Sequence, residues 1–353
     1  MWSKPIHEIE LPLKVIIGMD VLKRLPSLIK KLNLGNDLLV LTGPHVYEII
    51  GKDVISLLVD SHYEVQYQIV RTSTLNEVRQ IEEIVKEIKP SIMIAVGGGK
   101  VIDVTKYTSY LTHIPFVSVP TAASHDGIAS PVASIKLDDG RPGSFFTKPP
   151  IMVVADVSVI SKAPKRLTAS GCGDVIGKIT AVRDARLARV IKGEYVGDYA
   201  LSLALMSAKL VMRNASLIAK GSPEGIRVLL EALISCGTAM AIAGSSKPCS
   251  GSEHLFSHAL DLIAPRPALH GEQVGVGTIM MSYLHGLKWK RIRGFLKQVG
   301  APINAKELGI EPEYIIRALT IAHKMRKRYT ILGESGLTWK AAEALARETE
   351  VIE

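Results

Sequence analysis

The sequence predicts an α/β protein, an N-terminal Rossmann-like domain with a parallel sheet followed by an all-α C-terminal domain. Three observations carry that expectation. Short apolar runs alternate with helically periodic segments through the first half of the chain. At residues 92–99 one such run, IMIAV, meets three glycines and then a helical pattern. Beyond about residue 163 the strand signal stops, and alanine-rich helical periodicity takes over. The expected division is 1–163 and 164–353.

Taken in order, residues 8–17 read as a strand ending at Gly18, after which Val21, Leu22, Leu25, Leu28 and Ile29 recur at helical spacing. Residues 37–41 and 64–70 read as strands around a helix at 46–58. Thr74 with Glu77 three residues on is a capping-box signature for a helix running to residue 87. Further strands are expected at 116–119 and 152–155. Residues 132–136 and 144–147, around Asp138-Asp139-Gly140, read as a hairpin over the sheet edge. Helices are expected at 201–212, 222–244, 253–262, 274–287 and 338–351.

Composition narrows the function. With 353 residues the chain can bury two cores. Aromatics at 5% are too few for a nucleic-acid stacking surface. The net charge of +9 is scattered, densest at 324–328, and favours an anionic small substrate. Cys172, Cys236 and Cys249 form no CxxC pair, which argues against a disulfide framework or thiolate zinc site and for a reducing, cytoplasmic setting. The longest apolar run, 232–244, is shorter than the roughly 20 residues of a membrane span. The opening MWSKPIHEIELPL lacks the apolar core of a signal peptide, so no membrane insertion is expected.

The glycines at 97–99 lie between strand and helix, where backbone N–H groups and the helix dipole favour an anion, with Lys100 as an added point charge. The spacing is neither GxGxxG nor GxxxxGK[ST], and a tight structural turn accounts for it equally well. The run PTAASHDGIASP at 120–131 follows the next strand. It is a loop whose hydroxyls can reach a cofactor, with Asp126 in reach of a substrate hydroxyl, or a loop only. His125 and Cys172 read as structural. In the helical half, His254 and His258 are four apart and share a face. His270 follows a proline-rich stretch and reads as a loop residue, while Asp174 reads as the start of a helix in Gly171-Cys172-Gly173-Asp174. Two imidazoles and a carboxylate suit zinc with one position open; polar helix ends are the alternative.

GGGKVIDVTK, PTAASHDGIASP, ASGCGDVIGK, GSEHLFSHALD, LHGEQVGVGT and RYTIL occur in that order. Together they resemble the sn-glycerol-1-phosphate dehydrogenases, within the superfamily of glycerol dehydrogenases, iron-type alcohol dehydrogenases and dehydroquinate synthases. The resemblance implies reduction of dihydroxyacetone phosphate by NADH or NADPH to sn-glycerol 1-phosphate, the backbone of archaeal membrane lipids. It implies Zn2+ at Asp174, His254 and His270, and substrate contacts from Asp126, Asp174 and His258, with Asp126 and His258 in catalysis. Gly97, Gly98, Gly99, Lys100, Val101 and Asp103 match the pyrophosphate loop. Thr121, Ala122, Ala123, Ser124 and Ser130 match the nicotinamide side. A homo-oligomer is expected.

Two readings of single residues follow from that resemblance. Lys178 is a candidate for the substrate phosphate. Thr42-Gly43-Pro44 offers no acid to repel a 2′-phosphate, so both NADH and NADPH are expected to serve. Rival readings are a glycerol dehydrogenase acting on an unphosphorylated polyol and a non-enzymatic anion-binding module. A dehydroquinate synthase fits less well, since the glutamate and lysine of that family's pattern are here Asp174 and Gly177.

Overall fold

A computed structural model describes residues 7–353; residues 1–6, which begin the stretch weighed above as a signal peptide, lie outside the described residues. The runs rich in Val, Ile and Leu form one parallel sheet: β1 (Lys14–Gly18), β2 (Asp37–Thr42), β3 (Glu64–Ile69), β4 (Ile92–Gly97), β5 (Phe116–Pro120) and β8 (Met152–Asp156). The order across it is β1-β8-β5-β4-β2-β3. Every residue of β4, β5 and β8 is buried, which is why these strands read as continuous apolar runs rather than alternating ones.

Alternation decides which core each side chain joins. Leu39, Leu41, Met93 and Ala95 face a core continuous with the helical half. Leu38, Val40, Ile92, Ile94 and Val96 point the other way, onto Leu25, Ile29, Val54 and Leu58. From β2 the chain steps out to β3, returns across β2 to β4, and then moves away through β5 to β8. The order therefore reverses between β2 and β4, and a crevice opens at their carboxyl ends. Gly98 stands there as the N-cap of the helix Gly99–Thr112.

Several elements depart from the sequence reading. The first strand is shorter than expected. Thr74 does cap the helix Leu75–Ile88, accepting from Glu77 N–H at 3.3 Å, but the Glu77 side chain reaches past it to Arg71 N–H at 2.9 Å. The hairpin, β6 (Val132–Lys136) and β7 (Pro142–Phe146), packs on the Gly99–Thr112 helix instead of the sheet edge, with Lys136 N–H donating to Ser73 O at 2.8 Å.

In the helical half Asp174 lies near the end of the helix Lys165–Ile176, and His270 is the first residue of the helix His270–Leu284. The helix Pro223–Ala243 is long and apolar enough to cross a membrane by length and composition, because it continues through Arg227 and Glu231 beyond the uninterrupted apolar run. It is mostly buried and packs along the helix Asp198–Arg213.

Candidate active site

Gly97, Gly98 and Gly99 bring the end of β4 to the bare N-terminus of the Gly99–Thr112 helix, whose cap makes no side-chain hydrogen bond. A Cβ on Gly98 would meet nothing within 4 Å, so the backbone there is open to an anion. A Cβ on Gly99 would overlap the His125 ring, which the Gly127 N–H holds through Nδ1 at 2.9 Å. His125, read as structural from the sequence, thus lies over the glycine loop and lines the neighbouring cavity. Lys100 Nζ donates to Arg71 O at 3.0 Å, tying the loop to the end of β3. Val101 packs beneath Gly97.

Asp103 is not free. Its carboxylate pairs with the fully buried Lys106 at 3.1 Å, and Lys106 also donates to Gly127 O and Val132 O at 2.8 Å each. The pair pins the segment after β5 above the helix. Thr121 N–H donates to Gly97 O at 3.1 Å, which sets Thr121, Ala122, Ala123 and Ser124 beside the glycines. Ser130 lines the cavity, its hydroxyl bonded to the Val132 backbone.

Across the cavity, one ligand atom from each of Asp174, His254 and His270 lies within 4.8 Å of the others. They come from separate helices. Asp174 and His270 approach because the helices Lys165–Ile176 and His270–Leu284 cross at glycines: a Cβ on Gly173 would overlap Gly271 O, and one on Gly271 would overlap Ser170 O. His254 enters from the helix Ser252–Ile263, whose start is held by Asp184 Oδ2 accepting from Ser252 N–H at 2.7 Å.

The supporting hydrogen bonds orient the rings. His254 Nδ1 is 2.7 Å from Glu253 Oε1, and its Nε2 is 3.4 Å from Asp174 Oδ1. His270 Nδ1 is 3.2 Å from the Ser257 hydroxyl, to which Gln273 Nε2 also donates. Fixing one ring nitrogen in this way leaves the other for a ligand, an arrangement typical of metal-binding histidines. Asp174 Oδ2 accepts from Asp126 N–H at 2.8 Å and Oδ1 from Lys178 Nζ at 2.7 Å, which leaves Oδ1 a second lone pair.

Electrostatics fit the same donor set. Burial pushes the Asp174 carboxyl up, but the Lys178 ammonium and His254 outweigh it and hold the group well below the usual carboxylate range. Burial, followed by the His254 charge, pushes His270 down to about 3, so its ring is neutral. Two imidazoles and a carboxylate in this arrangement fit a divalent cation of the zinc class.

Lys178 itself is fully buried between Asp174 and Asp126, at 2.7 and 2.8 Å. Its charge is already matched by two carboxylates, so the expectation that it holds a substrate phosphate fails. His258 lies on the same helix face as His254, its ring 5.9 Å from that of His270. Arg326 Nη2 meets His258 Nε2 at 2.7 Å, and burial with the Arg326 charge holds this imidazole far below its ordinary pKa. Its proton therefore sits on Nδ1.

Glu253, Ser257, Arg326 and Arg328 escaped the sequence reading. The run at 324–328 was the available signal for the arginines, but a basic run is ordinarily a solvated face. Nothing in periodicity distinguishes Glu253 or Ser257 from any other polar helix residue.

The profile of the iron-containing alcohol dehydrogenase family matches residues 16–164. A glycerol-1-phosphate dehydrogenase [NAD(P)+] of Pyrococcus furiosus is 54% identical over 98% of this chain and 100% of its own length. One of Thermococcus kodakarensis is 54% identical over 99% and 100%. Among solved structures, a glycerol dehydrogenase from Schizosaccharomyces pombe superposes with a TM-score of 0.81 at 21% identity, covering 98% of this chain and 91% of that one. That last likeness concerns the fold alone. The identity of more than half, sustained along nearly the whole length, places the chain in the glycerol-1-phosphate dehydrogenase family.

Proposed function

We propose that the chain reduces dihydroxyacetone phosphate to sn-glycerol 1-phosphate with NADH or NADPH, the reaction that supplies the glycerol backbone of archaeal-type membrane phospholipids. One observation carries the reading. A single cavity of about 230 Å³ joins Asp103, His125, Asp126 and Ser130, beside the glycine loop, to His254, His258 and His270 from the helical half. The curated relatives, named as NAD(P)-dependent, support the choice of cofactor and substrate class.

Within this reading, residues 1–163 form the dinucleotide-binding domain and 164–353 the metal- and substrate-binding one. The backbone of Gly97, Gly98, Gly99, Lys100 and Val101 holds the pyrophosphate on a bare helix N-terminus. Thr121, Ala122, Ala123, Ser124 and Ser130 flank the nicotinamide. Asp174, His254 and His270 hold zinc. When bound, zinc supplies a Lewis acid for the ketone oxygen and the dinucleotide supplies the hydride.

The chain's own groups do the remaining work. Lys178 keeps the adjoining Asp174 ionised and also pairs with Asp126, so two unmatched negative charges do not stand where an anionic substrate must enter. Asp126 and His258 contact the substrate, His258 as a neutral ring held by Arg326 at Nε2; the net proton comes from solvent. Burial of Asp174, His254 and His258 keeps bulk water from these groups, which strengthens each of these interactions. A cytoplasmic homo-oligomer belongs to the proposal, supported by three free cysteines and by Val190, Tyr195, Tyr199 and Met206 exposed on neighbouring helices and their connection.

The test is side-by-side turnover of dihydroxyacetone phosphate and dihydroxyacetone, with chirality of the product. Preference for the phosphate and formation of the sn-1 enantiomer are expected. Faster turnover of the unphosphorylated ketone, or the sn-3 product, refutes the reading.

A further inference from the structure

A substrate phosphate needs a cationic partner, and Lys178 is not it. The cavity has another cation in its wall, Arg326, in the short segment that follows the helix Pro312–Ile321. Arg326 is partly buried, yet no carboxylate pairs with it among the described residues; its charged neighbour is Arg328. Burial and the Arg328 charge push the guanidinium down to about 10, so it remains a cation at neutral pH. Its side chain makes one hydrogen bond, from Nη2 to His258 Nε2 at 2.7 Å, and its remaining N–H groups have no protein acceptor. A partly buried charge without a counter-ion is unfavourable unless a ligand completes it.

The surroundings are built around that corner. Arg328 donates to Ser250 O and, at 2.8 Å, to the Ser246 hydroxyl, fixing the loop between the helices Pro223–Ala243 and Ser252–Ile263. Both serines line the cavity. The Ser250 hydroxyl is buried and has no hydrogen-bond partner, an orphaned polar group at the edge of the same space. Ile331 N–H, three residues after Arg328, donates to Asp184 Oδ1 at 2.7 Å, so the segment is anchored to the residue that also holds the start of the His254 helix.

His258 touches both regions, its ring 5.9 Å from that of His270 and its Nε2 2.7 Å from Arg326 Nη2. With bonds of about 1.5 Å, a three-carbon ketone phosphate places its phosphorus roughly 5 Å from the carbonyl oxygen. We propose that Arg326, with the Ser250 hydroxyl, forms the phosphate subsite that selects dihydroxyacetone phosphate over the unphosphorylated ketone. The inference rests on the function proposed above and assigns the specificity to a residue. A guanidinium presents a planar fork of donors to phosphate oxygens, which a lysine at the same place supplies only as a point charge.

The experiment compares wild type, Arg326→Ala and Arg326→Lys on both ketones, and measures inhibition by inorganic phosphate. Loss of charge-assisted bonds is expected to lower kcat/KM for dihydroxyacetone phosphate by roughly 10²-fold in Arg326→Ala. The preference for the phosphorylated over the unphosphorylated ketone should fall at least about tenfold, with Arg326→Lys in between. In wild type, inorganic phosphate should compete with dihydroxyacetone phosphate, and its inhibition constant should rise at least about tenfold in both variants.

Equal losses on the two ketones, or an unchanged phosphate inhibition constant, overturn the assignment. If Arg326→Ala does not fold, the Arg326→Lys ratio and its inhibition constant decide in the same way. Wild type preferring the unphosphorylated ketone would instead refute the proposed function, whereas a wild-type preference that survives in the variants refutes the subsite alone.

Discussion

His254 stands between two carboxylates, Nε2 at 3.4 Å from Asp174 and Nδ1 at 2.7 Å from Glu253. Burial pushes its pKa down, but the hydrogen bonds to Asp174 and Glu253 outweigh burial and raise it above the ordinary histidine value. The metal-free ring therefore holds a proton at pH values where a free histidine has lost it. A cation binds the neutral ring and must displace that proton, so affinity grows as pH rises. Calorimetric zinc titrations between about pH 6 and about pH 8 should show tighter binding at higher pH with proton release to the buffer. Glu253→Gln should weaken that dependence. An affinity independent of pH in this range contradicts the reading.

At the scale of elements, the crossing of the helices Lys165–Ile176 and His270–Leu284 places Asp174 beside His270. It works only because Gly173 and Gly271 bring backbone against backbone. Gly173→Ala would force the pair apart, at about 1–3 kcal/mol of stability by analogy with overpacked cores. Chemical denaturation should show that loss, and zinc affinity should drop at least about tenfold, since ligand positions tolerate displacements of only about 0.5 Å. Unchanged affinity would mean that the crossing does not set the metal geometry.

The same crossing explains what the sequence left unreadable. Glycines near an aspartate suggested the start of a helix, whereas these glycines lie inside one, where they permit contact with a partner helix. Pro265 and Pro267 suggested a loop at His270, and they precede a helix that His270 opens. The buried strands were legible because β4, β5 and β8 are covered on both faces and need no alternation. His254 and His258 were legible because four-residue spacing fixes a shared face whatever the tertiary context. Lys178 and Arg326 were not: sequence gives a cation's position along the chain, and only the fold shows that Asp126 and Asp174 flank one while the other lacks a carboxylate partner.

Across the whole molecule, Asp103 on the Gly99–Thr112 helix and His125, packed against the glycine loop, line one cavity with His254 and His270 of the helical half. Neither half is sufficient in the proposed reaction. The parallel sheet offers an open glycine loop at a helix N-terminus, and the helices offer a buried donor set whose acid group stays ionised beside Lys178. The division of labour makes metal binding depend on side chains far apart in sequence. Substituting any one of the three should remove the cation while leaving the sheet and its nucleotide loop intact.

The most direct check is the zinc content of the purified chain, measured by mass spectrometry after chelation and reloading, for wild type, Asp174→Asn and His270→Ala, with activity on dihydroxyacetone phosphate followed in parallel. The account predicts one zinc per wild-type chain, activity lost on chelation and recovered on reloading, and neither metal nor activity in the two variants. Full activity in the stripped wild type, or a normal zinc content in both variants, would contradict it.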